Sequence, residues 1–386
     1  MNGAGYRRST VCFVAPSLAG GGAERVAVQV LNALDENRWN RCLYLFERSG
    51  PYLADLSPSI RVESSNVASR AGQWRRLRRF VRQARPDVVV AFLSYVSVLT
   101  AVRAARVGAR VVFDVGTPVS AFLSDADYRW SRPWRRRAFA VAMRRASAAA
   151  DLLLATSKGV ADDLVQTFGA EADRVCIVPN PVDLDVISRA VGEPLDEAIA
   201  GRWRRPVVVT AGRLADAKNY PLLLAAFATL RESMSASLFI LGAGPQESAV
   251  RDEIRARRLD DAVHLCGFQG NPWKFIARAD VFALTSRYEG FGNVLIESMA
   301  CGVPVVATSS PGTRDILADG VDGLLVERHE PAAVAAALQK ILADRPLRDR
   351  LATAARRKAE SYRTETVVRA YDRALTDAIA SPCAAP

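Results

Sequence analysis

Two carboxylates eight residues apart, Glu289 and Glu297, are the residues of this chain best suited to chemistry. Glu289 lies in a polar loop broken by Gly290 and Gly292, and Glu297 lies in the run of good helix formers that follows. Apolar runs precede the loop and follow the helix, which places the loop at the carboxyl end of a parallel strand, where open α/β sheets bind ligands. The glycines let backbone N–H groups approach a ligand at a helix end that favours phosphate. A carboxylate for hydroxyls, a helix end for phosphate and a second carboxylate for a ribose predict a nucleotide-sugar site. The alternative is a glycine turn with two solvated glutamates.

Two cations, Arg213 and Lys218, follow the first apolar run of the second half, in a loop before a helix. A planar fork of donors and a compact point charge suit a diphosphate, whose negative charge grows as it leaves. We therefore predict that both side chains bind a diphosphate. Two ordinary surface cations are the alternative.

Two further loops carry residues that a ligand could contact. Gly20, Gly21 and Gly22 follow the first strand and permit a tight turn whose N–H groups are predicted to line a cleft, with plain turn geometry as the alternative. Residues 241–247 superficially resemble a dinucleotide fingerprint, but Glu247 stands where the third glycine belongs, which argues against NAD. Whether this loop is one wall of a nucleotide pocket or a plain turn stays open. The further residues predicted to bind the donor are Gly242 and Gly244 in this loop, Phe268, and Phe291 and Asn293 close to Glu289.

Strand-like and helix-like segments alternate through both halves of the chain. The short apolar runs lack period-two alternation, as expected for parallel strands covered on both faces. Residues 1–185 are predicted to form one doubly wound, Rossmann-like α/β domain and residues 206–363 a second, joined by a proline-marked linker at 186–205. Two such domains facing each other leave a cleft, a preferred position for a ligand. Residues 364–386 are predicted to form a helix that crosses back to the N-terminal domain.

The composition is that of a globular protein. Half of the 386 residues are apolar, and no run of about 18 apolar residues predicts a transmembrane helix. The apolar stretch near the N-terminus is too short for a signal peptide. The six dispersed cysteines include no Cys-x-x-Cys pair, and the two histidines have no partner at metal-ligand spacing. We therefore expect reduced thiols, a cytoplasmic protein and no zinc site.

The net positive charge of the chain lies entirely in its first half. Residues 1–180 hold 26 Lys and Arg against 15 Asp and Glu, whereas residues 181–386 hold 26 of each. Two segments, 74–82 and 128–137, combine arginines with tryptophan, a composition that fits contact with anionic lipid headgroups. The alternative for each segment is an amphipathic helix with a solvated face. Nucleic acid is the less favoured anion, because no nucleic-acid-binding motif accompanies the charge.

Together these motifs resemble a retaining glycosyltransferase of family 4 with the GT-B fold. The resemblance covers nearly the whole chain, and the two carboxylates with the upstream cations are its most specific part. The segments 272–282 and 309–317 are most similar to the branch that builds bacterial lipopolysaccharide, capsule and O-antigen. The motifs that carry the resemblance are GGGAER (20–25), TSKGVADDLV (156–165), VPNPVD (178–183), AGRLADAKN (211–219), LGAGP (241–245), EGFGNVLIESMACGVPVVAT (289–308) and DGVDGLLVE (319–327).

The resemblance implies roles in the C-terminal domain. Arg213 and Lys218 match the pair that binds the donor diphosphate. Glu289 matches the carboxylate that holds the hydroxyls of the donor sugar, and Glu297 matches the ribose ligand. Residues 290–292 match the backbone N–H groups beside the phosphates.

The N-terminal domain departs from the family pattern at one point. Gly21 and Gly22 match the loop at the reaction centre. Many relatives have an N-domain histidine near the sugar, but this chain has no histidine before His264. Asp114 and Thr117 occupy roughly that region and are predicted to line the acceptor side.

These expectations combine into a retaining transfer of a hexose or N-acetylhexosamine from an NDP-sugar, with a UDP-sugar favoured and a GDP-sugar the alternative. The acceptor is a glycan or a lipid-linked glycan of cell-surface polysaccharide synthesis, and the enzyme is expected at the inner face of the plasma membrane. No cofactor and no catalytic metal are expected, because Asp183-Leu-Asp185 lies in the linker region. The alternatives are a sugar-nucleotide epimerase or hydrolase on the same fold, and a non-catalytic basic protein that binds membrane or nucleic acid.

Overall fold

A computed structural model describes residues 7–19, 21–124 and 133–381. The chain forms two compact units. Residues up to 181, except 124–129, form the first unit together with the segment from Thr364 onward, and Val182–Arg363 form the second.

The first unit contains a seven-stranded parallel sheet in the order β3-β2-β1-β4-β5-β6-β7, so the strand order reverses direction between β1 and β4. Its strands are β1 Ser9–Ala15, β2 Trp39–Leu45, β3 Arg61–Ser64, β4 Val88–Phe92, β5 Arg110–Val115, β6 Leu152–Ala155 and β7 Val175–Ile177. Its helices are α1 Gly22–Ala33, α2 Arg70–Ala84, α3 Tyr95–Ala105, α4 Val119–Ser124, α5 Pro133–Ala149, α6 Lys158–Gln166 and the last helix of the chain, α16 Thr364–Ala380.

Both faces of this sheet are buried. Along β1, Cys12 and Val14 enter one apolar cluster, whereas Phe13 and its alternate neighbours enter another on the opposite face. Helices α1 and α16 supply the second cluster, and Tyr371 and Leu375 of α16 are buried in it. Burial on both faces is why the strands are apolar without alternation.

The second unit repeats the plan with six parallel strands in the order β10-β9-β8-β11-β12-β13, and its order reverses between β8 and β11. Its strands are β8 Val207–Ala211, β9 Ser237–Leu241, β10 Val263–Leu265, β11 Val281–Leu284, β12 Val305–Thr308 and β13 Leu324–Val326. Its helices are α7 Leu184–Ala190, α8 Glu197–Ala200, α9 Tyr220–Ser233, α10 Glu247–Ala256, α11 Trp273–Ile276, α12 Asn293–Ala300, α13 Pro311–Ile316, α14 Pro331–Ala343 and α15 Arg345–Ala359. The two sheets confirm the predicted doubly wound α/β class.

The segment predicted as a linker, 186–205, is included by the structure in the second unit. Helix α7 buries Leu184 and Ile187 in the same apolar cluster as β8 and α12. The weak periodicity of this segment, which contains the single proline Pro194, reflects short helices and not an extended connection.

Candidate functional site

Glu289 and Lys218, predicted from separate motifs, are in contact. Glu289 lies in the loop between β11 and α12, and Lys218 lies in the loop after β8, the neighbouring strand. The Lys218 ammonium donates to Glu289 Oε1 at 2.5 Å, and the hydroxyl of Ser286 donates to the same oxygen at 2.6 Å. The two charged side chains are only 20% and 12% exposed, so solvent screens this pair weakly. The carboxyl edge of the sheet thus carries a fixed carboxylate and a fixed cation.

Arg213 is placed differently from Lys218. It is exposed in the first part of the same loop, and its side chain makes no hydrogen bond or ion pair within the described ranges of the chain. A guanidinium offers a rigid fork of five donors, so Arg213 remains available to an anion at this edge.

Gly242 and Gly244 hold the loops after β8 and β9 together. A Cβ atom at Gly242, whose φ is +140°, would lie 2.0 Å from the carbonyl oxygen of Gly212, and one at Gly244 would lie 2.4 Å from that of Leu214. The Leu214 N–H donates to Ala243 O at 3.1 Å across this contact. Close backbone packing therefore accounts for both glycines, and their contact with a donor stays a prediction.

The loop that carries Glu289 is fixed at its far end. Gly292 has φ +97° and precedes the first turn of α12, which begins at Asn293. The N–H of Gly312 in α13 donates to Glu289 O at 3.2 Å, and a Cβ atom at Gly312 would lie 2.8 Å from the Gly290 carbonyl. Gly312 is a supporting residue that the sequence analysis missed, because its role depends on the approach of a second loop.

Two aromatic residues of the predicted donor set differ in their surroundings. Phe291 is 4% exposed and packs edge to face on Tyr362 at 5.5 Å between ring centroids, so it belongs to the core. Phe268 is 69% exposed after β10, at the same carboxyl edge as Glu289. Only Phe268 presents its ring to an incoming molecule.

Glu297 is a buried carboxylate in the second turn of α12, with 3% of its surface exposed. Its Oε2 accepts a hydrogen bond of 2.9 Å from the indole N–H of Trp273 on α11. Burial, with a smaller contribution from the charge of Glu297, raises the pKa of Cys301 one turn later to about 12. Trp273 is a second residue that the sequence analysis missed.

Tyr220 connects the first residues of α9 to the site. It is 2% exposed, and its hydroxyl donates to the Gly212 carbonyl at 3.0 Å. Burial raises the pKa of Tyr220, and the negative charge of Glu289 adds to that effect. The phenol is therefore neutral and serves as a support for the loop after β8.

In the first unit, Gly21 and Gly22 begin α1, whereas Gly20 lies outside the described residues. A Cβ atom at Gly21 would lie 2.1 Å from Glu24 Oε2, so the carboxylate of Glu24 covers this turn. Because this contact is with the far end of a flexible side chain and the φ of Gly21 is −77°, the turn itself does not require glycine at this position.

Asp114 and Thr117 differ in their exposure and contacts. Asp114 on β5 is 7% exposed, and its Oδ2 accepts a hydrogen bond of 2.9 Å from Tyr371 of α16. Burial raises the pKa of Asp114 to about 7, although the hydrogen bond from Tyr371 acts in the opposite direction. Thr117 is exposed in the loop after β5. Asp114 therefore contacts the C-terminal helix, and Thr117 is the one of the two that a ligand can reach.

Leu93, like Thr117, lies at the carboxyl edge of the first sheet. It follows β4 at the reversal of strand order, has φ +68° and is 51% exposed. A left-handed backbone is costly for leucine, and strained residues of this kind cluster at functional sites. Its sequence context gave no signal of this conformation.

The described residues contain no group of three or more His, Cys, Asp or Glu side chains arranged to hold a metal ion. Asp183 accepts from the Val186 N–H at the start of α7, and Asp185 pairs with Arg363 at 3.0 Å. A second Asp-x-Asp sequence, Asp125-Ala-Asp127, lies outside the described residues.

The basic segment 74–82 lies on α2, and residues 133–137 of the second basic segment begin α5, whereas residues 128–132 lie outside the described residues. On α2, Arg76 donates to Ser65 O and Arg78 to Ala104 O, so these two arginines also support the fold. On α5, Trp134 and Val141 are 58% and 51% exposed, and seven residues place them on one helical face. Among the helices within the described ranges, none has both the length and the apolar character needed to cross a bilayer.

Comparison with solved structures establishes the fold class. Anabaena HepE, solved in complex with UDP and glucose, superposes with a TM-score of 0.80 at 20% identity over 96% of this chain and all of that chain. WaaG, a glycosyltransferase involved in lipopolysaccharide biosynthesis, superposes with a TM-score of 0.76 at 18% identity over 95% of this chain and 99% of that chain. The chain therefore has the GT-B fold.

Sequence comparison establishes the family. The model of glycosyltransferase family 4 matches residues 20–186, and the model of group 1 glycosyl transferases matches residues 196–358. The chain belongs to glycosyltransferase family 4, as its motifs predicted.

Two relatives illustrate the range of the match. The N-acetylgalactosamine-N,N'-diacetylbacillosaminyl-diphospho-undecaprenol 4-alpha-N-acetylgalactosaminyltransferase of Campylobacter jejuni is 36% identical over 214 residues, which cover 55% of this chain and 56% of that protein. The lipopolysaccharide core biosynthesis glycosyltransferase LpsE of Rhizobium meliloti is 34% identical over 174 residues, 45% and 48% of the two chains. The chain thus matches about half the length of these curated relatives.

Proposed function

We propose that this protein is a retaining, metal-independent glycosyltransferase that moves a hexose or N-acetylhexosamine from an NDP-sugar to a glycan or lipid-linked acceptor. The observation that carries the proposal is the contact between Lys218 and Glu289, which are 71 residues apart in the chain. It joins the cation proposed for the diphosphate to the carboxylate proposed for the sugar, at the carboxyl edge where such sheets bind ligands.

Each side chain has a defined part in the proposal. Glu289 accepts hydrogen bonds from the hydroxyls of the donor sugar, and Ser286 and Lys218 hold its Oε1 in place. An ammonium has three donors, so Lys218 can bind Glu289 and a phosphate oxygen together, while Arg213 supplies the second cation. Glu297 binds the ribose.

In the proposed reaction, the bond from the anomeric carbon to the β-phosphate oxygen breaks as the acceptor oxygen attacks on the same face. The acceptor proton passes to a β-phosphate oxygen, and Arg213 and Lys218 stabilise the negative charge of the leaving diphosphate. The configuration of the anomeric carbon is thereby retained, and the chain supplies no covalent nucleophile.

The names of related proteins support the substrate classes. HepE has been solved with UDP and with UDP-glucose, which favours a UDP-sugar over a GDP-sugar. The relatives from Campylobacter jejuni and Rhizobium meliloti are named for transfer to a diphospho-undecaprenol-linked sugar and for lipopolysaccharide core synthesis, which favours a cell-surface glycan and a lipid-linked acceptor.

We further propose that the first unit binds the anionic inner face of the plasma membrane through α5 and the exposed arginines of α2, and that nucleic acid is not a partner. The exposed Trp134, with Arg135 stacked 5.6 Å from its ring centroid, joins an apolar anchor to positive charge. This combination is typical of helices that lie in a membrane interface.

Incubation of the protein with a panel of UDP- and GDP-sugars, with and without a lipid-diphosphate glycan acceptor, tests the transfer. The expected result is acceptor-dependent release of nucleoside diphosphate and a product whose anomeric configuration, measured by NMR, equals that of the donor. Consumption of donor that is independent of acceptor would support the epimerase or hydrolase alternative. An inverted product would contradict the same-face mechanism.

A further inference from the structure

We infer that Trp273 is the positioning residue of the donor site: its indole N–H orients Glu297 toward the ribose, and so sets the preference for ribonucleotide over 2′-deoxyribonucleotide donors. This inference rests on the proposed function, because it needs Glu297 to bind the ribose. The observation behind it is the 2.9 Å hydrogen bond from Trp273 Nε1 to Glu297 Oε2, between residues 24 apart in the chain.

The hydrogen bond from Trp273 to Glu297 is suited to orienting the carboxylate. Glu297 is 3% exposed in the middle of α12, so hydrogen bonds from the protein must replace the water that its carboxyl group loses on burial. An indole offers one N–H on a flat ring with two side-chain torsions and accepts nothing in return. A hydrogen bond from such a donor to one oxygen fixes the plane of the carboxylate, and therefore the direction in which it can receive the ribose hydroxyls.

Trp273 can orient Glu297 because hydrogen bonds to the end of α7 hold its own helix, α11, in place. Asn271 accepts from the Lys274 N–H at 3.2 Å and donates to the Ala190 carbonyl of α7 at 2.8 Å. Arg278, after the helix, donates to the Val191 carbonyl at 3.0 Å and to the Lys274 carbonyl at 2.7 Å. Two of these bonds reach Ala190 and Val191 at the end of α7, and the other two reach Lys274 of α11. Asn271 and Arg278 therefore connect the two short helices. The backbone from which the Trp273 indole extends to Glu297 on α12 is therefore fixed.

The ribose preference is the property to measure, because a purely structural role of Trp273 would not change it. Dissociation constants of UDP and 2′-deoxy-UDP, and of the GDP pair, are measured by calorimetry for the wild type and the variants. Hydrogen bonds to a charged group are strong, so we expect the wild type to prefer the ribonucleotide by about tenfold or more. Glu297→Gln should reduce this preference to about threefold or less.

Trp273→Phe keeps an aromatic ring and removes only the N–H. We expect it to lower the ribose preference by at least about threefold, with a rise in donor KM and little change in kcat. The double variant with Glu297→Gln should show the preference of Glu297→Gln alone, because the two residues act on one ligand group. Trp203→Phe is the matched control: Trp203 lies in the same apolar cluster, where it packs 4.4 Å from Phe239, and its replacement should leave the preference unchanged.

The outcomes separate the inference from the function on which it rests. If Glu297→Gln lowers the ribose preference and Trp273→Phe behaves like Trp203→Phe, the positioning role is overturned and the ribose assignment stands. If Glu297→Gln leaves the preference unchanged, the ribose assignment fails and the inference fails with it. If neither nucleotide pair binds the wild type, the proposed donor site itself is wrong. Thermal unfolding of each variant identifies any that has lost its fold, and Trp273→His, which retains a ring N–H, then replaces Trp273→Phe with the expectation of partial retention.

Discussion

The hydroxyl of Tyr371, on the last helix of the chain, donates a hydrogen bond of 2.9 Å to Oδ2 of Asp114 on the fifth strand of the first sheet. Tyr95 adds a hydrogen bond of 2.7 Å to the backbone carbonyl of Asp114. Both phenols are buried, and burial raises the pKa of each, so they stay neutral. The buried carboxyl thus receives one neutral donor, from Tyr371, while Tyr95 holds its backbone, and no cation balances its charge in these hydrogen bonds.

This enclosure predicts how stability changes with pH. The pKa of Asp114 is raised to about 7 in the folded protein, whereas an unfolded aspartate has a pKa of about 3.9. Between these values the folded state retains a proton that the unfolded state has lost. The free energy of unfolding should therefore fall as pH rises through this range, with the loss complete above about pH 7.

Asp114→Asn tests that dependence. The amide oxygen still accepts from Tyr371 but carries no charge, so the variant should be more stable than wild type above about pH 7 and less dependent on pH below it. Tyr371→Phe is the paired control, since removing this donor should raise the pKa of Asp114 further. Chemical denaturation across the range measures both. Parallel stability curves for wild type and Asp114→Asn would show that this carboxyl does not titrate there.

Much of the fold and part of the site could be predicted from the sequence. Apolar runs that alternate with helical segments require parallel strands, and parallel strands bring their carboxyl ends to one edge. Lys218 and Glu289 follow neighbouring strands of the second sheet, and this placement brings them into contact. The edge strands β3 and β13 contain only four and three residues, which leave little sequence pattern to distinguish them from loops.

Other features depend on packing that sequence pattern does not contain. Phe291 and Asp114 sit at strand or loop ends typical of ligand contacts, yet the structure buries both. Trp273 reaches Glu297 only because α11 is tied to α7, a relationship among three helices. Gly242 follows a glycine pattern typical of nucleotide loops, but the close approach of the Gly212 carbonyl explains it here.

Glu289→Gln should reduce transfer by about a hundredfold or more, because it removes a charged group placed at the sugar. It also leaves the partly buried Lys218 without its carboxylate, so we expect a modest loss of stability, about 1–3 kcal/mol. Glu327→Gln is the matched control, since Glu327 pairs with Arg314 on the exposed surface of the same unit. Steady-state kinetics and thermal unfolding measure the two effects, and near wild-type turnover in Glu289→Gln would remove this residue from the site.

Arg213→Ala and Lys218→Ala should each raise the barrier to transfer by about 2–4 kcal/mol. The double variant should lose less than the sum of the two, because both cations act on one diphosphate. Arg287→Ala serves as the control, because Arg287 pairs with Asp216 of the same loop at the surface and should have little effect on kcat/KM. Small, additive losses would show that Arg213 and Lys218 are ordinary surface cations.

Chelation should leave transfer unchanged, because the proposed mechanism assigns the neutralisation of the diphosphate to Arg213 and Lys218. The measurement is turnover after dialysis against EDTA, compared with turnover in added Mg²⁺ and Mn²⁺. Activity that disappears with EDTA and returns with a divalent cation would contradict metal independence. In that case Asp125-Ala-Asp127 would be the first segment to replace with alanine.

The last prediction concerns the membrane-binding surface of the first unit. Binding to vesicles that contain anionic lipid should be strong at low salt and should weaken as salt screens the charges, with about 1 kcal/mol lost per basic residue disengaged. Replacing Arg135, Arg136 and Arg137 with Glu should release the protein, and Trp134→Ala should weaken binding even at high salt, because Trp134 contributes apolar contact. Transfer to a short soluble acceptor should survive in both variants.

The control reverses the same amount of charge on the other unit. Arg251 and Arg255 lie on α10 and Arg257 directly follows it. Each is paired with an acidic residue within four positions, and their replacement by Glu should leave vesicle binding intact. A matched reversal on α2 uses Arg75, Arg79 and Arg82, which are exposed, and spares Arg76 and Arg78, whose side chains bond to backbone carbonyls. Sedimentation with vesicles separates the cases: equal loss in the α5 and α10 variants would reduce the effect to net charge, and unchanged binding in the α2 and α5 variants would leave those arginines as solvated helix surface.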